Sequence, residues 1–308
     1  MYKLLSIFIL SYSLLEAKEI KAVAIFEVSG IVSDFVKDGD FLYVATDSGI
    51  VDIINLLSKK IENKIYLEDI HTRIHSIDRF QGKTLLVTSA KNAYRNVWIH
   101  DDVKGLKKII DQEKKLMPKR AFFSEKGEII LATFGSDIVL YESVENYNVY
   151  NTRISESTMG GMVLSQDKKK MIIADESGTV RLIDVESSKV EETFTSEHVD
   201  NIYSVAYNKG ILLTGGQDRR IGIYPQNALA YHIKSDFLVY CVGLSPDGKI
   251  GIYSSGFEHN LQLFRTQNGT KTDTLIGHYA TPNKIMFVTN NTLISTGDEN
   301  KIFFWVLE

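Results

Sequence analysis

In the stretch Ile211–Tyr224, ILLTGGQDRRIGIY, a short apolar run leads into a polar, glycine-rich turn and then an alternating run that ends on an aromatic. A short apolar run bounded by turn signals reads as a strand buried on both faces. Alternation reads as a second strand beside it. The same shape recurs along the chain. The residues that close each alternating run are Ile54, His100, Tyr141, Ile183, Tyr224, Phe264 and Trp305, spaced 46, 41, 42, 41, 40 and 41 residues apart.

Around this pair, each unit adds a strand before and a strand after. In the fifth unit Ile202–Tyr207 precedes the pair, and in the fourth Val190–Phe194 follows it as a polar rim strand. A period near 41 with four strands per unit is the period of a propeller blade, about 40–45 residues. Helix-pair solenoids have similar periods but need a 3.6-residue apolar spacing, which these segments lack. First strands are predicted to start near Val32, Ile74, Arg120, Gly161, Ile202, Val239 and Lys284. The expected fold is therefore all-β, a seven-bladed β-propeller. Residues 20–28 form a strand without a unit of its own, and the last unit supplies only three strands. The N-terminal strand is expected to complete the last blade as its outer strand, which removes exposed sheet edges. The widest spacing predicts extra loop residues near Leu57–Glu68 and Lys91–Asn96.

Residues 1–17 read as a signal peptide: Lys3, then the apolar run Leu4–Leu15, then Ala17 as the small residue before cleavage. The run is shorter than the about 20 residues that span a bilayer. The expected domains are thus 1–17, removed on export, and 18–308, one propeller in a Gram-negative periplasm without a membrane anchor. The net charge of -4 argues against nucleic acid, which calls for a basic domain. Cys241 is the single cysteine, read as a small buried hydrophobe.

Candidate chemistry is sparse. His71 and His75 are four apart at the start of an innermost strand, about 13 Å at ~3.3 Å per residue, too far for one metal; they read as surface loop histidines. No metal site and no cofactor is expected. Gly160-Gly161 and Gly215-Gly216 lack the lysine of a phosphate loop and read as tight-turn glycines, where positive φ or close backbone approach is needed. Lys168-Lys169-Lys170 reads as a solvated hairpin tip.

The fifth unit carries His198 before its first strand, SVAY at 204–207, TGGQD at 214–218 and IGIY at 221–224. This resembles a WD-repeat. The resemblance implies a buried hydrogen-bond chain through His198, Thr214 and Asp218, with Tyr224 in the place of the family's tryptophan. The seventh unit has Gly277-His278 and Trp305, but Asp298 and Glu299 sit out of register with Asp218, so the chain is expected in unit five alone. With VSDFVKDGDFLYVATDSGIVDI at 32–53 and STGDENKIFFW at 295–305, the exported propeller also resembles the NapL family, accessory proteins of the periplasmic nitrate reductase system.

In WD-type propellers the loops that lead into the first strands, and those that join second to third strands, share one face and are its usual meeting surface. Here they carry Arg73, Arg95, Arg120, Arg219, Arg220, Phe257, His259 and Tyr279. Arginine with aromatics is the composition of binding hot spots. The expected function is a non-enzymatic, monomeric module that binds a protein partner, with periplasmic nitrate reductase components as the candidates. The alternative is a small-ligand binder or a metal- or quinone-dependent enzyme that uses the central channel, and it requires several Asp, Glu, Asn or His converging on the axis.

Overall fold

A computed structural model describes residues 17–67, 72–142, 147–256 and 258–307. The apolar run of the N-terminal leader, His71 and Phe257 lie outside them. The chain folds into seven antiparallel sheets of the expected four-strand unit. Blade one, for example, runs Val32–Asp38, Phe41–Thr46, Ile50–Asn55 and Lys60–Tyr66. Blade five runs Ile202–Asn208, Ile211–Gly216, Arg220–Pro225 and Tyr231–Lys234.

The continuous apolar second strands have a simple cause. Each is sandwiched between two neighbouring blades, so both of its faces are buried. In Ile129–Thr133 of blade three, Ile129 and Leu131 join the core shared with blade two, while Ile130 and Ala132 join the core shared with blade four. Seven such cores exist among the described residues, one at every blade-to-blade seam, including the seam between blades seven and one. The ring is closed.

Closure by the N-terminal segment differs from the expectation in one respect. It is two strands, not one. Ala24–Glu27 pairs antiparallel with Lys301–Val306 and completes blade seven, with Phe26 edge-on to Phe304 at 5.2 Å. The preceding Glu19–Lys21 instead runs parallel to Lys271–Ile276 and adds a fifth strand to blade six. Between them Ala22 packs, with Ile20, on the core shared by blades six and seven, so the leader straps the two blades together.

Two loop expectations also change. Residues 60–66 are not loop, since Lys60–Tyr66 is the fourth strand of blade one, and Lys91–Ala93 forms a 3-10 turn in the other predicted loop; residue 68 lies outside the described residues. Gly215 and Gly216 are strand residues, not turn residues: a Cβ on Gly216 would lie 2.6 Å from the Asn201 carbonyl oxygen. Gly160 is tighter still, 1.9 Å from the Ile202 carbonyl, at the seam between blades four and five. Both demand glycine through close backbone approach rather than through turn geometry.

Candidate functional site

The first strands are innermost, and six of them share a defect. The ladder between first and second strand slips after its first pair in blades one, two, three, four, five and seven. A bulge of this kind frees one residue from the pairing and re-aims it. The freed residues are Ser33, His75, Lys119, Gly160, Tyr203 and Asn283; Tyr240 holds the matching place in blade six, between buried Val239 and Cys241. Each is half-buried, while the residue before it is buried. They form a ring at the end of the channel where the first strands begin, the upper face. One residue further, the side chains reach sideways to the next blade. Ser76 Oγ accepts from Ala121 N at 3.2 Å, Ser204 Oγ from Val242 N at 3.1 Å, and Cys241 Sγ lies 3.3 Å from the Pro282 carbonyl. Cys241 is buried as expected, and burial pushes its thiol up to about 12.

The inner strands carry buried charge. Asp34 of blade one accepts from Arg120 of blade three at 2.7 Å, from Ile77 N of blade two at 3.1 Å, and from Lys284 of blade seven. Four blades thus meet on one carboxylate. Burial alone would push it up; Lys284 and Arg120 outweigh that and hold it below the usual carboxylate range. Lower in the channel, Asp78 of blade two accepts from Phe123 N at 2.8 Å and from Lys168 of blade four at 3.3 Å. Lys168 is therefore a channel brace rather than a solvated hairpin tip, and Lys170 is paired with Asp184. These groups are engaged with one another as bonds between blades.

Asp34→Asn removes the anion that two cations share. It is expected to cost about 3 kcal/mol at neutral pH, the scale of breaking a buried ion pair. Because the folded-state pKa is depressed, the wild-type contribution is present above the ordinary carboxylate range and is lost as pH falls through the folded value. Denaturant melts from pH 7 to pH 2 should show the gap between wild type and variant narrowing below about pH 4.

Three predicted arginines come together at blades two and three. Arg73 is exposed in the loop before His75, and its carbonyl accepts from Ser89 N at 2.9 Å. Arg95 opens the third strand of blade two, with Nη1 3.5 Å from Ser89 Oγ. His75 reaches the same hydroxyl at 2.7 Å, so it is a strand residue and not a surface loop histidine. Lys119, which sequence reasoning missed, donates to the Met159 carbonyl at 2.6 Å and shares the Phe134 ring with Arg95, at 5.5 and 5.8 Å. Burial, then Arg95, Arg73 and Arg120, holds His75 down at about 3; burial and then Arg120 pull Lys119 to about 8, against a weaker pull from Glu176.

The remaining predicted residues lie elsewhere on the same face. Arg219 is exposed in the blade-five turn at φ 62°. Arg220 is not a free loop residue: Nη1 donates to the Glu197 carbonyl at 3.1 Å and Nε lies 3.8 Å from Asp218. His259 sits in the blade-six turn at φ 58°. Tyr279 is 56% exposed, beneath Lys301 at 4.8 Å. Next to them Tyr203 and Tyr240 stack at 5.5 Å, with Phe237 6.3 Å from Tyr240.

The lock in blade five forms as its residues suggest. His198 Nδ1 is 3.0 Å from Asp218 and Nε2 is 2.7 Å from Thr214 Oγ1, but the buried Tyr224 hydroxyl has no hydrogen-bond partner among the described residues. The complete chain is in blade seven, contrary to expectation. His278 joins Glu299 at 2.6 Å and Ser295 at 2.7 Å, and Trp305 Nε1 donates to Ser295 at 2.8 Å. Ser295, Glu299 and Trp305 repeat the spacing of Thr214, Asp218 and Tyr224, so the signal was present with a glutamate in the aspartate place. In blade two Trp98 donates to Thr88 at 3.0 Å, which puts the anchor at 98, two residues before His100.

Fold and locks together define a seven-bladed propeller of the WD-repeat-like kind. No protein-family model matches the chain, and no curated protein matches it in sequence. Among solved structures it is similar to the β-propeller domain of Cps50 (Swd1) from Myceliophteria thermophila. The TM-score is 0.75 at 15% identity, over 93% of this chain and 99% of that one. At that identity the likeness speaks for the fold.

Proposed function

We propose that the chain is a non-enzymatic interaction module of the periplasm, an accessory protein of the nitrate reductase system there, of the NapL kind. The observation that carries the interaction reading is the aromatic group on the upper face at blades five to seven. Tyr203 and Tyr240 stack at the channel mouth, and Val199 and Tyr279 stand beside them 71% and 56% exposed. Rigid aromatics lose little entropy on binding and dominate interface energetics. A ring closed at seven cores holds them in fixed positions, as a scaffold does for functional loops. The charged-then-apolar start of the chain supports export. The stretches at 32–53 and 295–305 support the nitrate reductase assignment.

The test is chemical crosslinking in intact cells with the full chain, followed by mass spectrometry. The double variant Tyr203→Ala, Tyr240→Ala should keep its fold, judged by circular dichroism, and lose at least tenfold of the crosslinked partner. Undiminished capture would remove the aromatic face. Partners that include no component of the nitrate reductase would remove the pathway while leaving the interaction reading.

A further inference from the structure

We propose that Arg73, His75, Arg95 and Lys119 form a binding site for an oxyanion of the carboxylate class, on the upper face where blades two and three meet. This site uses none of the aromatic residues invoked above and stands or falls separately from them. Its geometry comes from two adjacent bulges. They free His75 and Lys119 onto the same rim, and the second-to-third-strand loop of blade two brings Arg95 between them. Ser89 ties His75 to Arg95, and the face of Phe134 ties Arg95 to Lys119, so three cationic or potentially cationic groups share one side-chain-sized patch.

Among the described residues no carboxylate bonds to any of the four side chains. Asp34, the acid of the neighbouring channel, is already shared by Arg120 and Lys284. Glu176 pulls only weakly on Lys119. Arg95 Nε is buried and has no acceptor among the described residues. A buried guanidinium N–H without an acceptor carries a desolvation cost that a ligand oxygen would offset. Burial first, and then the neighbouring positive charges, act in the same sense: both lower His75, with Arg95 and Arg73 as the charges, and both lower Arg95, with Arg73 as the charge. A planar oxyanion matches the guanidinium fork and accepts from an ammonium at the same time. The carboxylate could be carried by a small free anion or by an acidic side chain of a partner, and the chemistry of recognition is the same.

The full chain is titrated with sodium succinate and sodium sulfate against sodium chloride at matched ionic strength, and separately with a hexaglutamate peptide. Binding is followed by the His75 ring resonances. The expected result is a saturable response to succinate or to the peptide, with the His75 pKa rising above about 3 as the bound anion offsets the arginines, while a response to sulfate alone would overturn the carboxylate assignment. Arg73→Gln, Arg95→Gln should weaken it at least tenfold; Arg219→Gln, on the same face at blade five, should leave it unchanged. Arg73→Gln alone, at an exposed side chain without a bonded partner among the described residues, keeps the test valid if the double variant does not fold. Saturation by succinate would identify a free ligand. Saturation by the peptide alone would identify carboxylates presented by a protein. A response no greater than that to chloride, or one unaffected by loss of Arg73, would overturn the site.

Discussion

Trp305→Ala is expected to lower the unfolding free energy by about 3–5 kcal/mol, the range for truncating a buried aromatic. Trp305 is 1% exposed and is the largest of the fully buried side chains. It stacks on Phe303 at 5.8 Å and lies in the core shared by blades six and seven. That seam is where the ring is strapped shut, so a cavity there weakens closure as well as packing. The substitution also removes the indole N–H from Ser295, at one end of the buried chain through His278 to Glu299. Both the transfer and the cavity contributions therefore apply, with a lost hydrogen bond in addition. Equilibrium denaturation followed by far-ultraviolet circular dichroism measures it. A loss below about 1 kcal/mol would mean that Trp305 does not anchor the last blade.

Much of this architecture can be read from the chain because its cause is local. A second strand pressed between two blades must be apolar on both faces, and runs such as Ile129–Ala132 announce that without any knowledge of neighbours. The polar rim strand Val190–Phe194 is legible for the opposite reason. Register within a blade is harder. His100 closes the alternating run of blade two as plausibly as Trp98 does, and only the bond from Trp98 to Thr88 separates them. Glu299 shows the same limit: one extra methylene lets a glutamate serve where an aspartate is expected, and reach is a property of the folded chain.

The candidate site was less legible. Arg73, Arg95 and Arg120 read as loop residues in the sequence, yet Arg95 and Arg120 lie on strands, Arg120 is committed to Asp34, and Arg220 to the buried chain around Asp218. The bulged residues carry no common signature. Ser33, His75, Lys119, Gly160, Tyr203 and Asn283 range from no side chain to hydroxyl, amide, imidazole, ammonium and phenol, and what unites them is a slipped ladder, which depends on how the first strand meets the second. Without that geometry neither Lys119 nor the Tyr203–Tyr240 stack could be singled out.

The claim beneath all of this is that the N-terminal segment closes the ring on blade seven. Glu27 and Lys301 are direct partners across that last pairing. Both lie away from the core, with side chains 73% and 30% exposed. Paired residues of antiparallel strands stand about 4.5–5.5 Å apart at Cα, inside the range that a disulfide tolerates. A bond there would close a loop of nearly the whole folded domain. In the chain-entropy account that stabilises by on the order of 5 kcal/mol, less any strain the bridge introduces. The decisive measurement is peptide mapping by mass spectrometry of Glu27→Cys, Lys301→Cys in a Cys241→Ser background after mild oxidation. The structure predicts a near-quantitative intramolecular link between positions 27 and 301, accompanied by a higher melting temperature that reductant reverses. Free thiols, or links only between molecules, would show that the two ends of the chain do not meet and that the ring is not closed this way.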